Sequence, residues 1–92
     1  MADIDIRRPH TLDHHQARDL ANQVAVELGD SLGLSHDWRG DELHFDGMGV
    51  KGHIDVQEGE VRVRVRLGLL TSPLKGSIEQ GIRAQLDRLL QA

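Results

Sequence analysis

Residues 50–69 have the sequence VKGHIDVQEGEVRVRVRLGL, in which apolar and polar side chains alternate on both sides of Glu58-Gly59. Alternation with a period of two is typical of a strand that has one buried face. A two-residue turn at Glu58-Gly59 sets Ile54 opposite Val63, so the apolar residues of both halves share one face. We therefore predict a long β-hairpin with its valines facing inward and its arginines facing outward.

The outward face of this hairpin is predicted to be mostly basic. With the preceding strand, it gathers the following residues: Arg39, Lys51, His53, Arg62, Arg64 and Arg66. Asp37, Glu42 and Asp55 share the face, which leaves a predicted surplus of two positive charges and a net negative charge elsewhere. Either an anionic partner binds here, or the arginine stems only shield the strands from solvent. No aromatic residue is predicted on this face to stack on bases, so we expect no nucleic acid partner.

The first third of the chain predicts a strand followed by a helix. Residues 3–7 alternate and should form a strand that ends before Pro9. Thr11 is the expected N-cap of an amphipathic helix over residues 12–31, and Gly33 is the expected C-cap.

Two short strands are predicted over residues 36–39 and 42–46, joined by a type II′ turn at Gly40-Asp41. A four-residue turn over 46–49 then leads into the long hairpin. Beyond it, Ser77 and Gln80 have the spacing of a capping box for a second amphipathic helix.

These elements have the order β-α-β-β-β-β-α and predict a two-layer α+β fold, in which an antiparallel sheet packs on two amphipathic helices. Residues 1–92 contain no linker or repeat, so we expect a single domain. Gly52 has no side chain to fill the inner face of the sheet. An apolar pocket formed by Trp38, Phe45 and Gly52 is therefore a hypothesis.

Composition excludes several classes of protein. The net charge is −4, whereas nucleic-acid-binding proteins usually carry a positive surplus. The chain has no cysteine, which excludes disulfides and thiolate chemistry. No apolar run resembles a signal peptide or reaches the roughly 20 residues needed to span a bilayer. We expect a cytoplasmic protein with no membrane span.

Neither a catalytic group nor a metal site can be identified from the sequence. Six histidines are present, namely His10, His14, His15, His36, His44 and His53. Their spacing matches no metal-binding motif, and we predict no metal and no cofactor. The carboxylates lie mainly at predicted turns and strand ends, and no phosphate-binding loop or nucleophile elbow occurs. We expect a protein that is not an enzyme.

Residues 38–52 have the spacing W-x-G-D-x-L-x-F-x-x-x-G-V-x-G. Together with Ile4-x-Ile6, His10-Thr11-Leu12 and Leu67-Gly68, this run resembles the small bacterial family of polyhydroxyalkanoic acid system proteins over nearly the whole chain. The resemblance implies an association with polyhydroxyalkanoate storage granules, in a granule-associated or regulatory role without an established activity. It assigns no functional residues. The element order also resembles a shortened helix-grip fold, in which a helix crosses a curved antiparallel sheet.

Two functions of different classes follow. The first is an accessory or regulatory protein of granule metabolism that contacts the granule surface or another granule protein; because both helices need their apolar faces for the sheet, a protein contact is favoured over coating of the polymer. The alternative is a helix-grip-like module that binds an apolar or acyl ligand between sheet and helices. Exposed strands at residues 3–7 or 36–39 would also allow a homodimer.

Overall fold

The computed structural model describes residues 2–47 and 49–90 of the chain. In chain order the elements are β1 Ala2–Pro9, α1 His14–Leu32, β2 Ser35–Arg39, β3 Glu42–Gly47, β4 Val50–Gln57, β5 Glu60–Leu67, a 3-10 turn Ser72–Leu74 and α2 Lys75–Leu90. The strands form one antiparallel sheet in the order β1-β5-β4-β3-β2. The predicted α+β class and the order β-α-β-β-β-β-α are confirmed.

The β4-β5 hairpin has the predicted register. Ile54 pairs with Val63 and His53 with Arg64, and the turn at Glu58-Gly59 is closed by Gly59 at φ 80°. A positive φ strains residues that carry a Cβ, which is why a glycine suits this position.

Both helices lie on the inner face of the sheet. Helix α1 contacts β2, β3 and β4, α2 contacts β1, and the two helices contact each other. The side chains between the layers are almost wholly buried; the largest of them are Ile4, Ile6, Leu43, Ile54, Leu67, Ile82 and Leu86. The apolar faces of the two helices therefore meet the sheet, as their sequence periodicity predicts.

The predicted start of α1 is wrong by two residues, because Asp13 rather than Thr11 is the N-cap. Asp13 Oδ1 accepts a hydrogen bond from the Gln16 backbone N–H at 2.8 Å, and the Gln16 side chain accepts one from Asp13 N–H at 3.2 Å. This reciprocal capping box satisfies two N–H groups that the helix cannot satisfy itself. The predicted C-cap, Gly33, is confirmed at φ 71°.

Two other predicted boundaries are also wrong. β1 does not stop before Pro9; it continues through the proline, which pairs with Glu60. An edge strand tolerates proline, because only one side of it must supply donors to the sheet. Helix α2 begins at Lys75 directly after the 3-10 turn, so Ser77 lies inside its first turn and is not its cap.

The predicted register between β3 and β4 is wrong by two residues. The four-residue turn over 46–49 would place Phe45 opposite Val50, but Phe45 pairs with Gly52 and Gly47 pairs with Val50. The strands therefore extend closer to their connection than the sequence suggested. A shift of two residues leaves every side chain on its predicted face but changes its neighbour across the strands.

The edges of the sheet are β1 and β2, as predicted for residues 3–7 and 36–39. Gly40, which follows the last residue of β2, has φ 63°, and among the described residues only glycines have a positive φ. A positive φ at Gly40 without one at Asp41 agrees with the predicted type II′ turn. No helix among the described residues is long and apolar enough to cross a membrane.

Substitutions on the two faces of β5 should differ sharply in effect. Val63 is 0% exposed, so Val63→Ala should lower the free energy of unfolding by about 1 to 3 kcal/mol through lost burial and a small cavity. Arg64 is exposed on the opposite face, and Arg64→Ala should change it by no more than about 0.5 kcal/mol. Urea denaturation of both variants measures the difference; a larger effect of Arg64→Ala would contradict this assignment of faces.

Candidate functional site

The outer face of the sheet is balanced in charge, not basic. Its positions, read from the register, carry six basic residues, Arg7, Arg39, Lys51, Arg62, Arg64 and Arg66. They also carry seven acidic residues, Asp3, Asp5, Asp37, Glu42, Asp46, Asp55 and Glu60. The predicted positive surplus is therefore wrong: Asp46 and Glu60 also lie on this face, and β1, which pairs with β5, adds Asp3 and Asp5 but only one arginine, Arg7.

Asp5 and Arg62 form the best-defined ion pair on this face. Arg62 donates two hydrogen bonds to the carboxylate, Nε to Oδ1 at 3.0 Å and Nη2 to Oδ2 at 2.7 Å. Donation by Arg62 lowers the pKa of Asp5 below its ordinary value of 3.8, although partial burial opposes the shift. Two parallel bonds from one guanidinium hold the carboxylate in a fixed orientation. Because its guanidinium is already paired with Asp5, Arg62 is a poor candidate for binding a partner.

The other basic residues predicted for the site differ in their availability. Arg39 lies 3.4 Å from Asp37, and Arg66 lies 3.8 Å from Asp3. Within residues 2–47 and 49–90, no carboxylate lies within 4 Å of the charged group of Lys51 or Arg64. Both border a shallow depression of about 420 Å³ that also has Asp3, Asp5 and Asp46 at its edge. The hypothesis of an anionic partner therefore rests mainly on Lys51 and Arg64.

A group of two histidines and two carboxylates occupies the centre of the outer face. His44 pairs with His53 across β3 and β4, and their rings stack with centroids 5.4 Å apart. Glu42 pairs with Asp55 in the next row. His44 Nε2 lies 3.0 Å from Glu42 Oε1, and His53 Nε2 lies 3.6 Å from Asp55 Oδ1. We call these four residues the His-carboxylate cluster.

The predicted apolar pocket at Gly52 has no free space in its centre. A Cβ at Gly52 would lie 2.7 Å from the ring of Phe45 and 2.4 Å from the backbone oxygen of Arg64, both too close for real atoms. Phe45 itself is only 3% exposed, so its ring fills the hole that the glycine leaves. Trp38 is half-buried at the β2 edge, where the guanidinium of Arg18 lies 3.9 Å from its ring centroid. The three residues serve packing.

Apolar side chains are exposed on the connection between β5 and α2. Leu69 is 82% exposed, Leu70 is 92% exposed and Leu74 is 47% exposed. We call these three residues the leucine patch. Single exposed leucines are common in proteins, but a group of neighbouring ones is typical of an interaction surface.

The connection that carries the leucine patch is held by hydrogen bonds. Thr71 Oγ1 donates to the backbone oxygen of Gly49 at 2.6 Å, and Ser72 Oγ donates to that of Gly68 at 2.8 Å. Gly68 N–H also donates to Gly49 at 2.8 Å. The connection is thereby fixed to the turn between β3 and β4.

An open groove between α1 and α2 adjoins the leucine patch. Its volume is about 580 Å³, and its apolar lining includes Leu28, Leu32, Leu74 and Ile78. Glu27 also lines the groove, and it accepts hydrogen bonds from the side chains of Gln85 and Arg88, which links the two helices. These bonds, that from Gln85 first, lower the pKa of Glu27. Leu74, one of the three leucines of the patch, also lines this groove, whereas Leu69 and Leu70 do not.

The sequence interpretation missed three features of these surfaces. Asp3 and Asp5 were absent from the predicted face because the pairing partner of β1 had not been assigned; their alternation with Ile4 and Ile6 contained the signal. The wrong β3-β4 register placed His44 opposite Lys51 and thus concealed the histidine pair. Alternation would place Leu69 on the inner face with Leu67, but β5 ends at Leu67, so Leu69 and Leu70 leave the sheet and are exposed.

Comparison with known proteins agrees with the resemblance found in the sequence. A protein-family model described as "Putative polyhydroxyalkanoic acid system protein" matches residues 4–90. No curated protein matches the chain significantly. The matched span contains every described element except the first two residues of β1.

The Asp5–Arg62 pair should make stability depend on pH in the acid range. Because the pKa of Asp5 is lowered in the folded state, its contribution is fully present above the unfolded value of about 3.8 and is lost as pH falls through the lower folded value. Unfolding free energies of the wild type and Asp5→Asn should therefore differ near pH 7 and converge in strong acid. Asp3→Asn is a matched control on the same strand and face, where the arginine contact is 3.8 Å. An equal loss in both variants at every pH would contradict the role of this pair.

Proposed function

Since the chain belongs to the polyhydroxyalkanoic acid system protein family, we propose that it is a cytoplasmic accessory protein of polyhydroxyalkanoate granule metabolism that attaches to the granule surface through the leucine patch. It acts by contact and not by catalysis. The exposure of Leu69 and Leu70 is the observation that carries the proposal.

The leucine patch fits an apolar surface in both position and energy. Leu69 and Leu70 project from a short connection that hydrogen bonds fix to the sheet. Little conformational entropy of the backbone is therefore lost when they are buried. Burial of a fully exposed leucine side chain contributes up to about 1.5 to 3 kcal/mol. Two such residues are enough for reversible attachment to a polyester surface, which presents many equivalent sites.

The two helices leave the leucine patch as the apolar surface best placed for this contact. Their own apolar faces are buried on the sheet, with Leu20, Val24, Ile82 and Leu86 at most 4% exposed. Coating of the polymer by an opened helix would require that this core be disrupted. Attachment through the patch leaves the fold intact, which favours it over a coat-like mechanism.

Replacement of both exposed leucines should release the protein from granules. Leu69→Ser/Leu70→Ser should weaken co-sedimentation with polyhydroxyalkanoate particles at least about tenfold, because a loss of 1.4 kcal/mol already corresponds to that factor. Val26→Ser is the matched control, since Val26 is an apolar residue 40% exposed on α1 and is not part of the leucine patch. Fraction bound is measured against particle concentration for the three proteins.

Two preparations of particles separate the two kinds of granule contact. Binding to particles stripped of protein supports attachment to the polymer itself. Binding to native granules alone would replace this with a granule protein as the partner. Wild type that stays in the supernatant with both preparations, or a double variant that sediments like wild type, would contradict the proposal.

A second candidate function is the binding of an apolar or acyl chain. The groove between α1 and α2 favours it, because Leu28, Leu32 and Ile78 line an open apolar space. The site differs from the one predicted between sheet and helices, where Phe45 fills the space at Gly52. Trp38 stacks on Arg18, and Arg18 lies about 15 Å along α1 from Leu28. Trp38 fluorescence is therefore a poor reporter of a ligand bound in the groove. Retention of a radiolabelled fatty acid by wild type but not by Ile78→Gln would support this function.

We also propose that the protein forms a homodimer through β2. This strand is an edge of the sheet, and unpaired backbone groups of an edge can pair with a second copy. The other edge, β1, ends in Pro9, which has no N–H to donate. Sedimentation velocity at tens of micromolar should give twice the chain mass of 10.3 kDa. A species of 10.3 kDa throughout that range would exclude the dimer.

A further inference from the structure

The His-carboxylate cluster places two negative charges directly opposite each other. Glu42 on β3 faces Asp55 on β4, and like charges in that relation repel. Arg39 and Arg62 occupy the adjacent positions of the same row, but they bond to Asp37 and Asp5 instead. Among the described side chains, only histidines lie within 4 Å of the two carboxylates as charged partners. The arrangement therefore favours an additional cation.

Asp55 provides a second, independent indication of a ligand. Its Oδ1 atom is buried and accepts no hydrogen bond from any described residue. The nearest imidazole nitrogen, His53 Nε2, is 3.6 Å away, which is beyond hydrogen-bonding distance. A buried carboxylate oxygen without a donor is costly unless something satisfies it. A metal ion bound to this oxygen would do so.

The spacing of the donor atoms fits a single ion. One oxygen of Glu42, one nitrogen of His53 and one oxygen of Asp55 all lie within 4.8 Å of one another. Ligand atoms about 2.1 Å from a tetrahedral ion lie about 3.4 Å from one another. Side-chain rotations that move the donor atoms by roughly 1 Å bring them to this spacing. Their side chains are 51%, 28% and 22% exposed, respectively, which leaves the site open to solvent.

We propose that Glu42, His53 and Asp55 bind a divalent transition metal of the zinc class. Imidazole and carboxylate ligands together suit such borderline ions, whereas Ca²⁺ and Mg²⁺ prefer oxygen ligands alone. His44 lies 3.0 Å from Glu42 and acts as a positioning residue that orients this carboxylate toward the ion. The site lies on the outer face of the sheet and is independent of the proposed attachment through the leucine patch.

Metal titration of the untagged chain tests the proposal. Zn²⁺ should bind with a stoichiometry of one in isothermal titration calorimetry, with release of protons. Co²⁺ should give ligand-field absorption that disappears when Zn²⁺ displaces it from the site. Asp55→Asn and His53→Gln should abolish this binding. His44→Gln should weaken it about tenfold to a hundredfold, as expected for a residue that orients a ligand.

His15→Gln is the matched control. His15 Nε2 lies 3.6 Å from a carboxylate oxygen of Asp19, the same separation as between His53 and Asp55, but on the exposed surface of α1. This variant should bind Zn²⁺ like wild type. If one of the cluster variants does not fold, histidine ring resonances of the wild-type protein still report the site, since those of His44 and His53 should shift with Zn²⁺ and that of His15 should not. Absence of one-to-one binding by wild type, or loss of binding in His15→Gln alone, would overturn the proposal.

Discussion

The register of the β4-β5 hairpin determines how the other strands and both helices can pack. Side chains alternate strictly along a strand, so the pairing of Ile54 with Val63 decides the face of every residue in both strands. A slip of one residue would expose Val61, Val63 and Val65 and bury the arginines between them. Burial of these valines, each at most 3% exposed, opposes such a slip. Both neighbouring strands, β1 and β3, then join a hairpin whose inner face is already determined.

The outer face shows how one additional strand changes the chemistry of a surface. The hairpin alone presents Arg62, Arg64 and Arg66 as a basic stripe. β1 adds Asp3 and Asp5 beside these arginines, and Asp5 accepts two hydrogen bonds from Arg62. Opposite charges beside each other stabilise the pairing of strands by modest amounts and also weaken attraction for anions. The arginine stripe therefore contributes to the edge of the sheet at least as much as to any partner.

The fold separates three surfaces that have different properties. Both helices cover the inner face, the outer face carries charges and histidines, and the leucine patch projects where β5 leads into α2. Attachment of the leucine patch to an apolar surface would leave the outer face free for solvent, a metal ion or another protein. Under the proposed function, the leucine patch would contact the granule while the outer face stays available.

Local pattern was sufficient to predict the order of the elements, the α+β class, the hairpin register and the buried face of each strand, because periodicity and turn residues act between near neighbours in the chain. Helix caps were less certain: Asp13 with Gln16 outcompeted Thr11 through a reciprocal pair of bonds.

Which outward-facing residues become neighbours depends on how distant strands pair. Pairing of β1 with β5 joins residues about 60 positions apart in the chain. The observed β3-β4 register differs from the predicted one by two residues, and every side chain stays on its predicted face. Burial energy distinguishes inside from outside but is the same for two registers that differ by two. The Asp5–Arg62 pair and the His-carboxylate cluster therefore depend on strand connections that local pattern does not specify, whereas the burial of Val63 and Phe45 follows from the alternation of apolar residues.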